Sequence, residues 1–403
     1  MVTRVRAAAR AVRSGPAVLR RRLSAGELGS LPVVLVLAVV WITFQSLNEN
    51  FLSPRNLSNL SVDIVGTGMI AVGIVFVLLL GELDLSVGSI SGLAAAVFAV
   101  LNVNNGVPEW LALIVAVLAG TVAGTVQGYS IARTRVPAFV ITLAGLLTWN
   151  GLMLSVLGDS GTVNLDENGL VAQLTSYYFT DDAVAYGLAA VAAGAVFLVC
   201  DRDRRRRRAI GMPHRSAHAI ALRTAAVAVV AFGVAYLLNR FQGLPLALLI
   251  FLVVVAGLDV VLRRTPYGRQ VYALGGSVEA ARRASLSVTW VQTAVLAASG
   301  TMAAVGGLFL ASRITSVSQS SGSGVLLVNA IAAAVIGGTS LFGGRGSTWS
   351  AVLGMLVIQS IASGMAITDT PPAVQFVITG GVLFAAVIID SLSRHSQATR
   401  RRA

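Results

Sequence analysis

Hydrophobic and polar residues in this chain segregate into long blocks rather than alternating one by one. Uninterrupted apolar stretches lie at about 31–48, 62–81, 85–103, 109–131, 137–157, 183–200, 217–238, 244–262, 290–312, 325–341, 349–366 and 373–390. A helix of roughly 20 apolar residues crosses a hydrocarbon layer about 30 Å thick, whereas a membrane barrel shows alternating segments of about 10 residues, a pattern not found here. The blocks predict an all-α fold, a polytopic transmembrane helical bundle of about 12 spans.

Composition agrees. Hydrophobic residues make up 56% of the 403 and charged residues 12%, against roughly 25% charged in a soluble domain, which excludes a single water-soluble core. The formal charge is +13 and all 30 basic residues are arginine. So basic a chain could bind nucleic acid, but the arginines follow the loops. With the N-terminus placed in the cytoplasm, 26 fall on the cytoplasmic side. Only Arg55, Arg240 and Arg313 fall on the other, and Arg223 lies inside a span close enough to its end to snorkel. That asymmetry is the positive-inside rule, and it places both termini in the cytoplasm without invoking nucleic acid. The opposite loop at 158–182 carries Asp159, Asp166, Glu167, Asp181 and Asp182 with no basic residue. Residues 1–30 read as a basic cytoplasmic segment before an uncleaved anchor, and residues 391–403 as a basic cytoplasmic tail. The basic run at 204–208 could bind anionic lipid headgroups or act only as a stop signal that fixes topology. A single cysteine, Cys200, allows no intramolecular disulfide.

Three interruptions of the apolar pattern hold the candidate chemistry, because unpaired backbone in lipid is tolerated only beside protein or water. The first is Gly81-Glu82-Leu83-Asp84-Leu85-Ser86-Val87-Gly88-Ser89. Two carboxylates at this depth are functional candidates; the alternative is a tight cytoplasmic turn in which Asp84 or Ser86 caps the next helix. The second is Ile336-Gly337-Gly338-Thr339-Ser340-Leu341-Phe342-Gly343-Gly344-Arg345-Gly346-Ser347, either a broken helix or a hairpin turn. Its order of apolar run, glycine-rich turn, Gly-Ser and second apolar run echoes the first and hints at an internal duplication. The third is the loop at 263–289, where Ser277 followed by Val278, Glu279, Ala280, Ala281, Arg282 and Arg283 reads as a capped short helix outside the membrane, either a solvated connector or a handle for a soluble partner.

These residues resemble a family, the permease subunits of ATP-binding-cassette importers for monosaccharides such as ribose, galactose and xylose. The resemblance covers about 31–390, the transmembrane permease domain. It is carried by Glu82 through Ser89, by Pro137-Ala138-Phe139-Val140-Ile141-Thr142-Leu143, by 268–281, and by the run from Ala330 to Gly344. It implies a homodimer, a cytoplasmic ATPase below, an extracytoplasmic sugar-binding protein above and a bacterial inner-membrane location. It also implies that Gly275, Gly276, Glu279, Ala280, Ala281 and Arg282 form the element that couples to the ATPase. The extra spans at about 183–238 are similar to an insertion of xylose-type permeases, giving a 10-span core plus 2. The chain departs from the pattern at Ser285, where the family often has Gly, and at Leu327, Val328 and Asn329, where it often has Glu-Leu-Asp.

A neutral sugar needs hydrogen-bonding groups, which makes Glu82, Asp84, Ser86, Thr142, Asn150 and Asn329, with Thr67 and Gln127, candidates for the translocation path. With no lysine, the chain has no Walker-type Gly-Lys-Ser loop, so it is read as a transport subunit rather than an enzyme, with no cofactor and no metal site. The rivals are an ion-coupled secondary transporter using Glu82, Asp84 or Asp63, and an intramembrane enzyme, for which His214, His218 and His395 lie too far from any acid cluster.

Overall fold

The computed structural model describes residues 31–402 except 135 and 215. The basic segment 1–30, Arg135 and Arg215 lie outside the described residues, as do the side chains of the tail from 391. The helices are α1 (Leu31–Leu47), α2 (Pro54–Leu80), α3 (Val87–Ala99, prolonged by a π turn, Val100–Asn104), α4 (Glu109–Thr134), α5 (Ala138–Leu157), α6 (Leu170–Ser176), α7 (Asp182–Ala209) and α8 (Ala217–Asn239). They continue with α9 (Leu246–Arg264), α10 (Pro266–Gly276), α11 (Val278–Arg283), α12 (Val288–Ile314), α13 (Gly324–Ile336), α14 (Thr348–Ile367) and α15 (Pro372–Arg402).

Every predicted apolar block is helical, and most boundaries fall within a few residues of those expected. Among the described residues, nine helices are long and apolar enough to cross a membrane, and three apolar helices are shorter: Leu31–Leu47, Gly324–Ile336 and Pro372–Ala385. The largest shifts have local causes. α2 begins well before residue 62, where Ser53 Oγ accepts from Asn56 N at 3.3 Å and Pro54 takes the first turn. α7 runs on through the arginines to Ala209 instead of stopping near 200. α13 stops at Ile336, about 20 Å after it begins at 1.5 Å per residue, so this apolar block is helical for only part of the membrane's thickness.

The acidic loop at 158–182 is more ordered than a connection need be. Residues Thr162–Asn164 (β1) pair antiparallel with Ser316–Ser318 (β4), and Tyr178–Phe179 (β2) with Leu244–Pro245 (β3), with α6 between β1 and β2. The buried hydroxyls of Thr175 and Ser312 meet at 2.8 Å and fasten α6 to the end of α12.

α2 is the central helix, with nearly its whole length buried, and α12 is its main partner, also packed on α3 and α4. In lipid, apolar contact alone does not favour helix association, so close packing must supply it. Here it comes from a stripe of Gly120, Gly124 and Gly128 on α4, seated against Leu296, Gly300 and Ala304 of α12. A Cβ on Gly120 would stand 2.6 Å from Ala304 Cβ, and one on Gly128 2.8 Å from Leu296 Cβ. A bond of 2.8 Å between Thr121 Oγ1 and Thr301 Oγ1 crosses the same interface. Gly124→Val is therefore expected to destabilise the fold by roughly 1–3 kcal/mol through overpacking, seen as a lower thermal-unfolding midpoint in detergent. Gly187→Val on the outer face of α7, where a Cβ meets nothing within 4 Å, should leave the midpoint unchanged. α7 and α8, by contrast, pack mainly on each other and expose most of their apolar surface.

Candidate functional site

The break between α2 and α3 is buried at Asp84 and Ser86, exposed at Gly81 and Leu83, and closed by no side-chain cap on α3. Gly81 ends α2 in the left-handed region, φ 79°, which glycine adopts without penalty. Asp84 is 2% exposed. Its Oδ1 accepts from Ser86 N at 3.0 Å and from Ser86 Oγ at 2.6 Å, and its Oδ2 accepts from Ser299 Oγ of α12 at 3.0 Å. The expected helix cap is thus replaced by an Asx turn, and no side chain caps α3. Ser86 Oγ also lies 2.9 Å from Gln127 Oε1. A hydroxyl has one proton, so both contacts are satisfied when the Gln127 amide is turned to donate from Nε2.

Glu82 points elsewhere. Its Oε1 accepts from Gln292 Nε2 of α12 at 2.6 Å, and its Oε2 is buried without a hydrogen-bond partner. Thr142 Oγ1 donates to Leu83 O at 3.2 Å, which ties α5 to the break. A cleft of about 460 Å³ opens here, lined by Glu82, Gln292, Pro137, Phe139 and Arg282 among others. Four of the six path candidates, Glu82, Asp84, Ser86 and Thr142, are therefore brought together. Asn150 lies two turns beyond Thr142, about 12 Å along α5. Asn329 is half-buried on α13. No hydrogen bond links either of them to the group. Thr67 is buried within α2.

The second and third interruptions converge on the first. Gly344 N donates to Leu79 O at 2.9 Å, and Tyr272 OH of α10 donates to Gly346 O at 2.9 Å. Gly275, at the end of α10, has no room for a side chain: a Cβ there would collide with Leu79 O and stand 2.9 Å from Gly344 N. Gly343 and Gly344 take φ 85° and 72° at the same point. The end of α2, the turn after α13 and the end of α10 thus touch in a three-way backbone contact.

α11 follows directly. Ser277 Oγ accepts from Ala280 N at 3.2 Å, the predicted cap. Ala281 is buried beneath the helix, while Gly276, Glu279, Ala280 and Arg282 are exposed. Glu279 and Arg283 approach to 4.0 Å with both side chains open to solvent, a pair worth little on its own. Tyr267 at the start of α10 meets Trp290 of α12 edge-on, with centroids 5.5 Å apart, and burial pushes its phenol up to about 12.

Comparison with known proteins follows the same stretch of chain. Residues 56–387 match the family model described as branched-chain amino acid transport system / permease component. The chain belongs to this family. It is 36% identical over 372 residues to the xylose transport system permease protein XylH of Escherichia coli (strain K12), covering 92% of this chain and 91% of that one. It is 35% identical to XylH of Haemophilus influenzae (90% and 96% covered) and 30% identical to the ribose import permease protein RbsC of Bacillus subtilis (91% and 94% covered). No solved structure matches. As a permease of this family with many apolar helices, the chain is a multi-pass protein of the bacterial inner membrane.

Two features of this permease stand out against the sequence reading. Ser285, where glycine was expected, sits in the left-handed region at φ 60° just after α11, a conformation that costs a non-glycine residue about 1–2 kcal/mol. Ser285→Gly is expected to raise stability by up to about 1 kcal/mol, less the extra chain entropy glycine brings, measured as a small rise in unfolding midpoint. Sequence reasoning also missed Gln292 and Ser299, the α12 partners of Glu82 and Asp84. They stand seven residues apart, hence on one face of a helix, a polar stripe that could have been noticed. Trp149, whose Nε1 is buried without a hydrogen-bond partner, gave no such signal.

Proposed function

We propose that this permease forms, as a homodimer, the translocation path of an ATP-driven importer for a monosaccharide, with xylose the first sugar to test. In this reading a separate cytoplasmic ATPase docks on α11 through Glu279, Ala280 and Arg282. Gly275 and Gly276 lie at the joint and Ala281 anchors the helix. A soluble sugar-binding protein delivers from the opposite face, and both termini and the loop at 263–289 are cytoplasmic. The apolar blocks make 12 crossings, with the α7–α8 hairpin as the inserted pair. The observation that carries the reading is the three-way backbone contact, which joins the end of α10, and through it the exposed short helix α11, to both helix breaks. The choice of sugar leans on the names of the relatives at 36% and 30% identity.

Movement of α11 would shift Gly275 against Leu79 and Gly344 and so the two breaks, opening the path by alternating access. Of the path candidates, Glu82 with its unpartnered Oε2 would meet the sugar's hydroxyls at the cleft, Asp84, Ser86 and Thr142 would hold the break beside it, and Asn150 and Asn329 would lie further along. The ion-coupled alternative loses two of its ligands. Asp63 is paired with Arg313 at 2.8 Å, and three protein donors already hold Asp84.

Reconstitution tests the proposal. With its ATPase and binding protein in vesicles lacking any ion gradient, the permease should accumulate xylose only when ATP is supplied. Uptake driven by a proton or sodium gradient without ATP would overturn it.

A further inference from the structure

The arginine-rich end of α7 is hollow. After Cys200 the helix continues to Ala209, and the chain then turns through Gly211 at φ 67°, with Met212 N donating to Arg207 O at 2.9 Å. This folds Pro213 and His214 back beside the last turns and leaves a cavity of about 360 Å³ lined by Cys200, Asp203, Arg204, Arg207, Pro213 and His214. Arg204 and Arg207 are three residues apart and so share one face of the helix. Arg204 is half-buried, unlike the exposed arginines that follow it. Of the nearby carboxylates, Asp201 pairs with Arg205 at 2.7 Å, and Asp203, at the cavity's edge, lies 3.8 Å from Arg264. Among the described residues Arg204 and Arg207 form no ion pair with a carboxylate, and His214 Nδ1 lies 3.3 Å from Met212 O.

We propose that this cavity binds the phosphate group of an anionic phospholipid. Two guanidinium forks match a phosphate's oxygens, and the space exceeds what one phosphate fills. The apolar stretch of α7 that reads as a span ends at about residue 200, at the cavity's edge. Leu198 and Val199, both exposed just before Cys200, offer acyl chains an apolar track along α7. A free phosphate shares the chemistry but has no use for that track.

Cys200 is the chain's single cysteine and lines the cavity, so it reports occupancy without engineering. The rate of maleimide labelling would be measured on the detergent-solubilised full chain with phosphatidylglycerol, phosphatidylcholine or inorganic phosphate added. Phosphatidylglycerol is expected to slow labelling on the order of tenfold and phosphatidylcholine to leave it unchanged, with the protection lost in R204Q/R207Q and kept in R205Q/R206Q. Native mass spectrometry of the same variants would show phosphatidylglycerol retained by the wild type and by R205Q/R206Q only. Protection by inorganic phosphate equal to that by the lipid keeps the phosphate site and assigns it to a free anion. No protection by either, or equal loss in both double variants, overturns the proposal.

Discussion

Asp84→Ala is expected to cost this permease a large part of its stability. The carboxylate accepts from Ser86 N, Ser86 Oγ and Ser299 Oγ in a site closed to water. Removing it strands two buried donors, Ser86 N and Ser299 Oγ, each at about 1–3 kcal/mol, while Ser86 Oγ can still donate to Gln127 Oε1. The total is about 2–6 kcal/mol, a large share of the roughly 5–15 kcal/mol that holds a domain together. Thermal unfolding in detergent, followed by tryptophan fluorescence, should show a much lower midpoint or no folded protein. Asp84→Asn separates structure from charge. It keeps Oδ1 for Ser86, and the Ser299 hydroxyl can turn to accept from the new amide, so the loss should stay below about 1.5 kcal/mol. An alanine variant as stable as the wild type would mean that the network does not hold the break in place.

Gly275→Val is expected to uncouple rather than unfold. The added side chain would strike Leu79 O and press on Gly344 N, forcing α10 away from both breaks at an overpacking cost of about 1–3 kcal/mol. In vesicles containing the ATPase and binding protein, hydrolysis should persist while sugar uptake falls at least about tenfold, a change that such a cost is large enough to produce. Gly257→Val is the control, since a Cβ there meets nothing within 4 Å. Uptake and hydrolysis falling in proportion would argue for a weakened docking surface instead of a broken link.

What could be read from the residues follows from the range of the forces involved. Each apolar block announced its helix because a span must satisfy its own backbone in lipid, and Ser277 announced α11 because a cap is a bond three residues long. Glu82 and Asp84 were found because ionised groups within apolar runs are rare. Their partners were not, since Gln292 and Ser299 lie more than 200 residues away and look like ordinary helix residues. The glycines at 120, 124 and 128 stood in plain view as a close-packing repeat but carried no address for the helix they would meet. Nor could any local pattern reveal that Gly81, Gly275 and Gly344 meet. The capping reading of Ser86 failed for a related reason: Asp84 competes for that hydroxyl and amide through a turn only two residues wide.

The central claim is that energy enters at α11 and reaches the breaks through this contact, and backbone hydrogen exchange on the assembled complex tests it most directly. Binding of a non-hydrolysable ATP analogue to the partner ATPase should change exchange at 81–86 and 337–347 as well as at 266–283, and Gly275→Val should confine the change to 266–283. A wild-type response confined to 266–283, with both breaks unaltered, would contradict the account.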